Sequence, residues 1–261
     1  MCTVTVVPGG RGSSGAVAPT LRVVFNRDEL RTRPRSIPPA LHACGDRRTI
    51  MPVDPWSGGT WIGANDAGLV VGLLNVNAEP TEPAATPSEP PPESRGVIVP
   101  GLLAAGSLTG LLHASHSIDA SRHAPFRIMA TDGREFVLLA SQGHDLREVL
   151  RERFLRPVML TSSGLGDQLV ESPRRALFDE VFARWGDWLD AQRRFHEHTW
   201  AGRGHISVLM SRADARTESR VVIDLYADRV SMEYVPLLDR ADSASCAVPV
   251  SLPLTLSPAA A

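Results

Sequence analysis

Cys2 is the residue with the most chemistry to offer. Removal of an initiator methionine is favoured when the second residue is small, and the mature chain would then open with a thiol and a free α-amine on one residue. Their ordinary pKa values, about 8.5 and about 7.7–8.0, are close enough for the amine to take the thiol's proton directly or through one water. Nucleophile and base then share a residue, and no histidine is needed. The block Asn26-Arg27-Asp28-Glu29 adds to this. These four polar or charged residues follow the apolar run at residues 21–25 and extend no core face. In a hairpin with the strand that starts at Cys2, they would return beside it. An arginine there favours thiolate, and a carboxylate holds and orients an ammonium. On a solvated strand end the same residues would form only surface ion pairs of little energetic weight. Adjacent strand residues point to opposite faces, so one of Arg27 and Asp28 is expected to reach Cys2, with Asn26 on the side of Asp28.

The other candidates are thinner. His196-x-His198 and His113-x-x-His116 lack a third ligand at metal spacing, so neither a metal nor another cofactor is expected. Trp185 and Trp188 suit a core or a groove wall. Trp61 follows Gly58-Gly59, where glycines either let backbone approach a ligand or mark a bend. Cys2, Cys44 and Cys246 are an odd number without a CxxC pair, which indicates neither a disulfide framework nor a zinc ribbon. No role is assigned to Cys44 or Cys246.

Composition removes several classes of function. All 27 basic residues are arginine, so a Schiff-base lysine and a phosphate-loop lysine are both excluded. Against 29 acidic residues they leave a formal net charge of −2, and no basic field exists for nucleic acid or anionic lipid. A chain of 261 residues buries a core without staples. The N-terminus lacks a secretory pattern and no apolar run has the length of a membrane span, so a cytoplasmic protein with no transmembrane segment is expected.

The elements that must position these residues are mostly short strands. Residues 3–7 and 21–25 read as a hairpin, as do 59–64 and 69–75 across Asn65-Asp66-Ala67-Gly68. Residues 126–130 and 135–140 flank an Asp-Gly turn, a strong hairpin signal. With a closing meander at 206–210, 220–226 and 229–234, this gives about ten strands. Helices are predicted from Asp145, with Leu146, Val149, Leu150 and Phe154 on one face. Another starts at Ser172-Pro173, with Leu177, Val181, Trp185 and Trp188 as its stripe. A third, at 101–113, is weakened by Gly101, Gly106 and Gly110. Loops at 32–54 and 79–93 are expected around the groove, the second too rich in Pro, Glu and Ser to order itself. A loose tail at 241–261 leaves residues 1–240 as a single domain. The order of strands and helices suggests an α+β layered sandwich.

Several of these motifs together resemble a known family. Met1-Cys2, Asn26-Arg27-Asp28-Glu29, Arg33-Pro34, Gly58-Gly59-Thr60-Trp61-Ile62-Gly63, Asn65, Gly68 and Leu74-Asn75 look like the NRDE family, also known as the transport-and-Golgi-organisation family. Phe195-His196 and residues 205–216 are similar to the C-terminal part of its bacterial members. The resemblance implies a fold like that of N-terminal-nucleophile hydrolases, a four-layer αββα sandwich of two antiparallel sheets. Cysteine members of that superfamily include bile-salt and penicillin amidases and acyltransferases, and Cys2, Arg27, Asp28 and Asn75 occupy the places matching their pattern. By that resemblance Cys2 is the nucleophile, Asp28 orients its amine, and Arg27 tunes the thiol or binds an acidic substrate group. Asn75 donates to the oxyanion, an interaction worth roughly 3–4 kcal/mol of barrier. Asn26, Glu29 and Trp61 are expected to contact substrate. Two departures stand out: Arg27 and Asp28 are adjacent where the amidases separate them by two residues, and Thr161-Ser162-Ser163-Gly164-Leu165-Gly166-Asp167 stands where a second Asn is expected. The function implied is cleavage or transfer of a small-molecule acyl group at a non-peptide C–N amide or thioester. The alternative is a haem or lipid carrier on the same scaffold, linked to haem trafficking. Catalysis requires residue 2 in a sheltered cleft within reach of Asp28 and Asn75.

Overall fold

A computed structural model describes residues 2–9, 18–77, 93–184, 186–237 and 249–257. In chain order the first strands are β1 (Cys2–Pro8), β2 (Leu21–Leu30), β3 (Ile37–Cys44), β4 (Arg47–Val53), β5 (Ile62–Asn65) and β6 (Val70–Asn75). Two short helices follow, α1 (Ile98–Leu103) and α2 (Leu108–Ser115), then β7 (Phe126–Thr131), β8 (Glu135–Ser141), β9 (Leu146–Arg153) and β10 (Val158–Ser162). The chain continues through α3 (Asp167–Arg184), α4 (Trp188–His196), β11 (Ala215–Leu225), β12 (Arg229–Pro236) and β13 (Val250–Thr255). One sheet runs β10-β1-β2-β11-β12-β13 and the other β3-β4-β5-β6-β7-β8-β9, every pairing antiparallel.

The alternation along β1 sets the layering. Val4 and Val6 face the second sheet and share a core with Phe25, Ile62, Ala64 and Leu74. Thr3 and Thr5 face outward, where α3 and α4 cover the first sheet through Met159, Phe178 and Phe195. The second sheet is covered by α1 and α2 through Leu102, Leu103 and Leu111 against Val71 and Ile128. The result is the expected αββα sandwich. Its outer polar seam is tied by Arg174, fully buried, which donates to Thr3 Oγ1 at 2.7 Å and Thr161 Oγ1 at 2.6 Å as well as to the carbonyls of Ile206 and Ser207. No helix among the described residues is long and apolar enough to cross a membrane.

The three predicted hairpins form, with Gly68 at φ 81° closing the turn whose Asn65 side chain also accepts from the backbone of Ala67 and Leu69. The polar block 26–29 lies toward the end of β2, as expected, but Asn26, Arg27 and Asp28 are buried there and not solvated, because β11 covers the far edge of that strand.

Elsewhere the structure departs from expectation. The segment from Asp145 is a strand, since β8 offers an open edge; Val149 is the extra residue of a bulge, and the charged run Arg147, Glu148, Arg151, Glu152 suits an outer edge. The helix at 101–113 is two helices, because Ser107 turns extended and its Oγ accepts from Gly110 N to start α2. Helix α3 begins at Asp167 and holds Pro173 in its interior, since Val170 draws the preceding turn into the core. Trp188 belongs to a separate helix, and Trp185 lies outside the described residues. Residues 206–210 bury Ile206, Val208 and Met210 in alternation but join no sheet, their backbone bonding to His198 and Thr217 instead. The presumed loop 32–54 is largely the β3–β4 hairpin. The presumed tail supplies β13, paired to β12, while 241–248, 258–261 and the loop residues 79–92 lie outside the described residues.

Candidate active site

The first residue of β1 and the last of β6 open onto one cleft of about 440 Å³ at the end of the sandwich. Cys2, Arg27, Asp28, Glu29, Trp61 and Asn75 all line it. Cys2 is 8% exposed and pairs directly opposite Arg27, so both side chains lie on the face toward the second sheet. The Cys2 nitrogen donates to Ser162 Oγ at 3.1 Å, and the backbone N–H of Asp28 reaches the sulfur. Burial pushes the thiol up from its ordinary value, and Asp28 adds to the rise; the Arg27 guanidinium pulls it back. A thiol held neutral in this way needs a nearby base to become a nucleophile.

Arg27 sits in a nest of carboxylates. It donates to Asp54 at 2.6 Å, Glu29 at 3.0 Å and Glu218 at 3.3 Å, and its guanidinium lies over the Trp61 ring at 4.6 Å from the centroid. Both terminal nitrogens are thus committed inside the protein. The arginine ties β2, β11 and the segment after β4 together, which leaves it poorly suited to the acidic substrate group that its type suggested. Glu218 also receives Ser36 N, Ser36 Oγ and Ser219 Oγ. Burial, with Glu218 beside it, pushes the Tyr234 phenol up to about 12.

Asp28 points the other way, as strand alternation requires. Its carboxylate accepts from Thr217 Oγ1 at 2.6 Å. Burial raises its pKa, and the Arg174 guanidinium works against that rise. The bulge between Thr217 and Ser219 sits opposite Arg27 and Asp28 and loosens the ladder there. Asn26 does not line the cleft: its amide donates to the carbonyls of His196 at 3.0 Å and Val208 at 3.1 Å on the outer face, so it serves packing instead of substrate contact. Asn75 differs from Asn26. Half-buried at the strand end, its side-chain amide makes no hydrogen bond with any described residue and is left to the cleft.

Sequence reasoning missed several residues here. Ser162 stands in the block where a second Asn was sought, and its hydroxyl meets the Cys2 nitrogen. Glu218 and Arg174 come from remote elements. Arg95 enters the cleft on a 3₁₀ turn at Arg95–Val97. That turn is pinned because Gly59 and Gly96 meet backbone to backbone: a Cβ on Gly59 would lie 2.6 Å from the Gly96 carbonyl oxygen, and Thr60 N donates to that oxygen at 3.0 Å. The available signal was the Gly58-Gly59 pair, since paired glycines before a strand mark a close approach.

The architecture is that of the N-terminal-nucleophile hydrolases. An orthologue of N-acylethanolamine-hydrolyzing acid amidase from Caenorhabditis elegans superposes with a TM-score of 0.52 at 12% identity, covering 85% of this chain and 92% of that one. A variant of conjugated bile acid hydrolase from Clostridium perfringens gives 0.48 at 11% identity over 96% and 92% of the two chains. Penicillin V acylase from Agrobacterium tumefaciens gives 0.46 at 11% over 97% and 91%. No curated protein matches the sequence. A family-wide sequence model described as Transport and Golgi organisation 2 matches residues 17–218, and the chain belongs to that family.

Proposed function

We propose that the protein is a cysteine amidohydrolase or acyltransferase of the N-terminal-nucleophile type, acting on a small-molecule C–N amide or thioester. The observation that carries the reading is one sheltered cleft shared by the Cys2 thiol and the uncommitted amide of Asn75. Once Met1 is removed, the Cys2 nitrogen is a primary amine beside Ser162. As a neutral base it takes the proton from Sγ, and the sulfur attacks the acyl carbon. Asn75 Nδ2 donates to the oxyanion that forms. The ammonium returns its proton to the leaving nitrogen, so the C–N bond breaks and a thioester remains on Cys2. Water or an acceptor, deprotonated by the same amine, releases the acyl group. Asp28 holds the amine's end of β1 through its backbone N–H to the sulfur and its buried charge.

Intact mass of the purified protein, followed by a thiol-directed acyl probe, tests this. The expected result is loss of Met1, one acyl adduct on the parent and none on Cys2→Ala. An N-acylethanolamine is a reasonable first substrate, being what the amidase neighbour hydrolyses. Retention of Met1 in protein that still turns over amides would overturn the amine-base mechanism. Absence of any adduct, together with haem or lipid binding indifferent to Cys2→Ala, would make the scaffold a carrier.

A further inference from the structure

The charges lining the Cys2 cleft are nearly all spoken for. Arg33 donates to Asp54 at 2.7 Å, Arg27 is held by Glu29, Asp54 and Glu218, and Glu93 is paired with Arg122. Arg95 is different. Its Nη1 donates to the carbonyl of Pro125 at 2.9 Å, and no carboxylate among the described residues lies within ion-pair distance of it. A half-buried guanidinium with one neutral protein acceptor keeps its remaining N–H groups open to the cleft, where an anion can take them. Burial lowers its pKa, and no carboxylate among the described residues opposes the fall.

We infer that Arg95 receives a carboxylate of the substrate, so that the compounds acted on at Cys2 are amides carrying one free carboxylate. This deepens the reading of Cys2 as nucleophile and rests on it for the word substrate. A planar guanidinium with free N–H groups matches a carboxylate as a two-pronged fork. A single negative charge fits better than a phosphate dianion or a polyphosphate, because Glu29, Asp54 and Glu93 line the same cleft and, among the described residues that line it, Arg95 alone of the cations has no carboxylate partner. The arginine is also held in place: Ser94 Oγ accepts from Gly96 N, and the Gly59–Gly96 contact ties the turn to the segment that carries Trp61. Trp56, 68% exposed at the rim, and Leu73 offer apolar surface to the acyl part.

The test uses the full chain as Cys2→Ala, so that binding is read without turnover. Calorimetric titration compares three probes with one acyl chain: an N-acylglycine, a neutral N-acylethanolamine, and the N-acylethanolamine phosphate. The acylglycine is expected to bind at least about tenfold more tightly than the neutral amide. Arg95→Met should erase that preference while leaving the neutral amide's affinity unchanged, which also reports that the variant is folded; Arg95→Lys should retain part of it. Equal binding of the two, no binding of the acylglycine, or a preference that survives Arg95→Met overturns the assignment. Tightest binding of the phosphate overturns it in favour of a phosphorylated ligand. A failure of turnover in the parent protein with this selectivity intact refutes the nucleophile and leaves Arg95 standing, so the two readings fail separately.

Discussion

Replacing Arg27 with methionine keeps an unbranched apolar stem but removes the guanidinium that lies over Trp61 and the charge that three carboxylates share. The Arg27 side chain is 6% exposed. The consequences differ among its partners. Asp54 keeps Arg33 at 2.7 Å and the backbone N–H of Trp56, and Glu29 keeps Arg33 at 3.7 Å and the N–H of Leu30. Glu218 keeps the neutral donors of Ser36, Ser219 and Tyr234. The penalty therefore concentrates on Glu218, and removal of one partner from a buried pair costs about 3–5 kcal/mol. For a chain of this size that corresponds to a fall in Tm on the order of 10 °C. Adding Glu218→Gln removes the stranded charge and should recover at least about 1.5 kcal/mol, so the two substitutions are not additive. Urea unfolding followed by tryptophan fluorescence measures both quantities. A loss below about 1 kcal/mol for Arg27→Met, or a double variant as unstable as the sum of the singles, would refute the account of Arg27 as an internal tie.

Asn75→Ala should slow acylation of Cys2 by about 10²–10³-fold while leaving Tm nearly unchanged, because the amide has no bond to a described residue to lose; stopped-flow labelling with the acyl probe reads the rate. Gly59→Ala must push the Gly96 backbone away, at a cost of about 1–3 kcal/mol in denaturant unfolding, and should weaken the acylglycine preference with it. His196 is buried with Nε2 at 2.8 Å from Thr5 Oγ1, and burial holds its pKa well below the ordinary 6.5. The unfolded chain therefore takes up a proton that the folded one refuses, so stability is full above pH 6.5 and falls as pH drops below it, by up to about 1.4 kcal/mol per unit. His196→Gln should remove about one proton's worth of that slope between pH 6.5 and 5; an unchanged slope would mean the imidazole is already charged in the fold. Asp54 and Asp66, whose pKa values are lowered, lose their contributions only below the ordinary carboxylate range; His198, whose pKa burial also lowers, acts in the same window but is present in both proteins, so the difference between them isolates His196.

Local chemistry was enough to read much of this protein from its sequence. The Thr-Val alternation of β1, the Asp-Gly turn before β8 and the Asn65–Gly68 turn each carry their own geometry in neighbouring residues. The strand-end positions of Cys2, Arg27, Asp28 and Asn75 follow from those hairpins, since register is fixed by the turn and by the buried face. What escaped was decided at long range. Leu146–Arg153 carries a helical period yet pairs with β8, and Val250–Thr255 finds β12 despite a composition that suggests a tail, because an open sheet edge outweighs a weak local preference. The commitment of Arg27 to three carboxylates and the isolation of Arg95 depend on Glu218, Asp54 and Gly96 arriving from distant parts of the chain. A residue's type states what it is able to do; whether its charge is already satisfied is a property of its neighbours in space, and those the tertiary structure alone supplies.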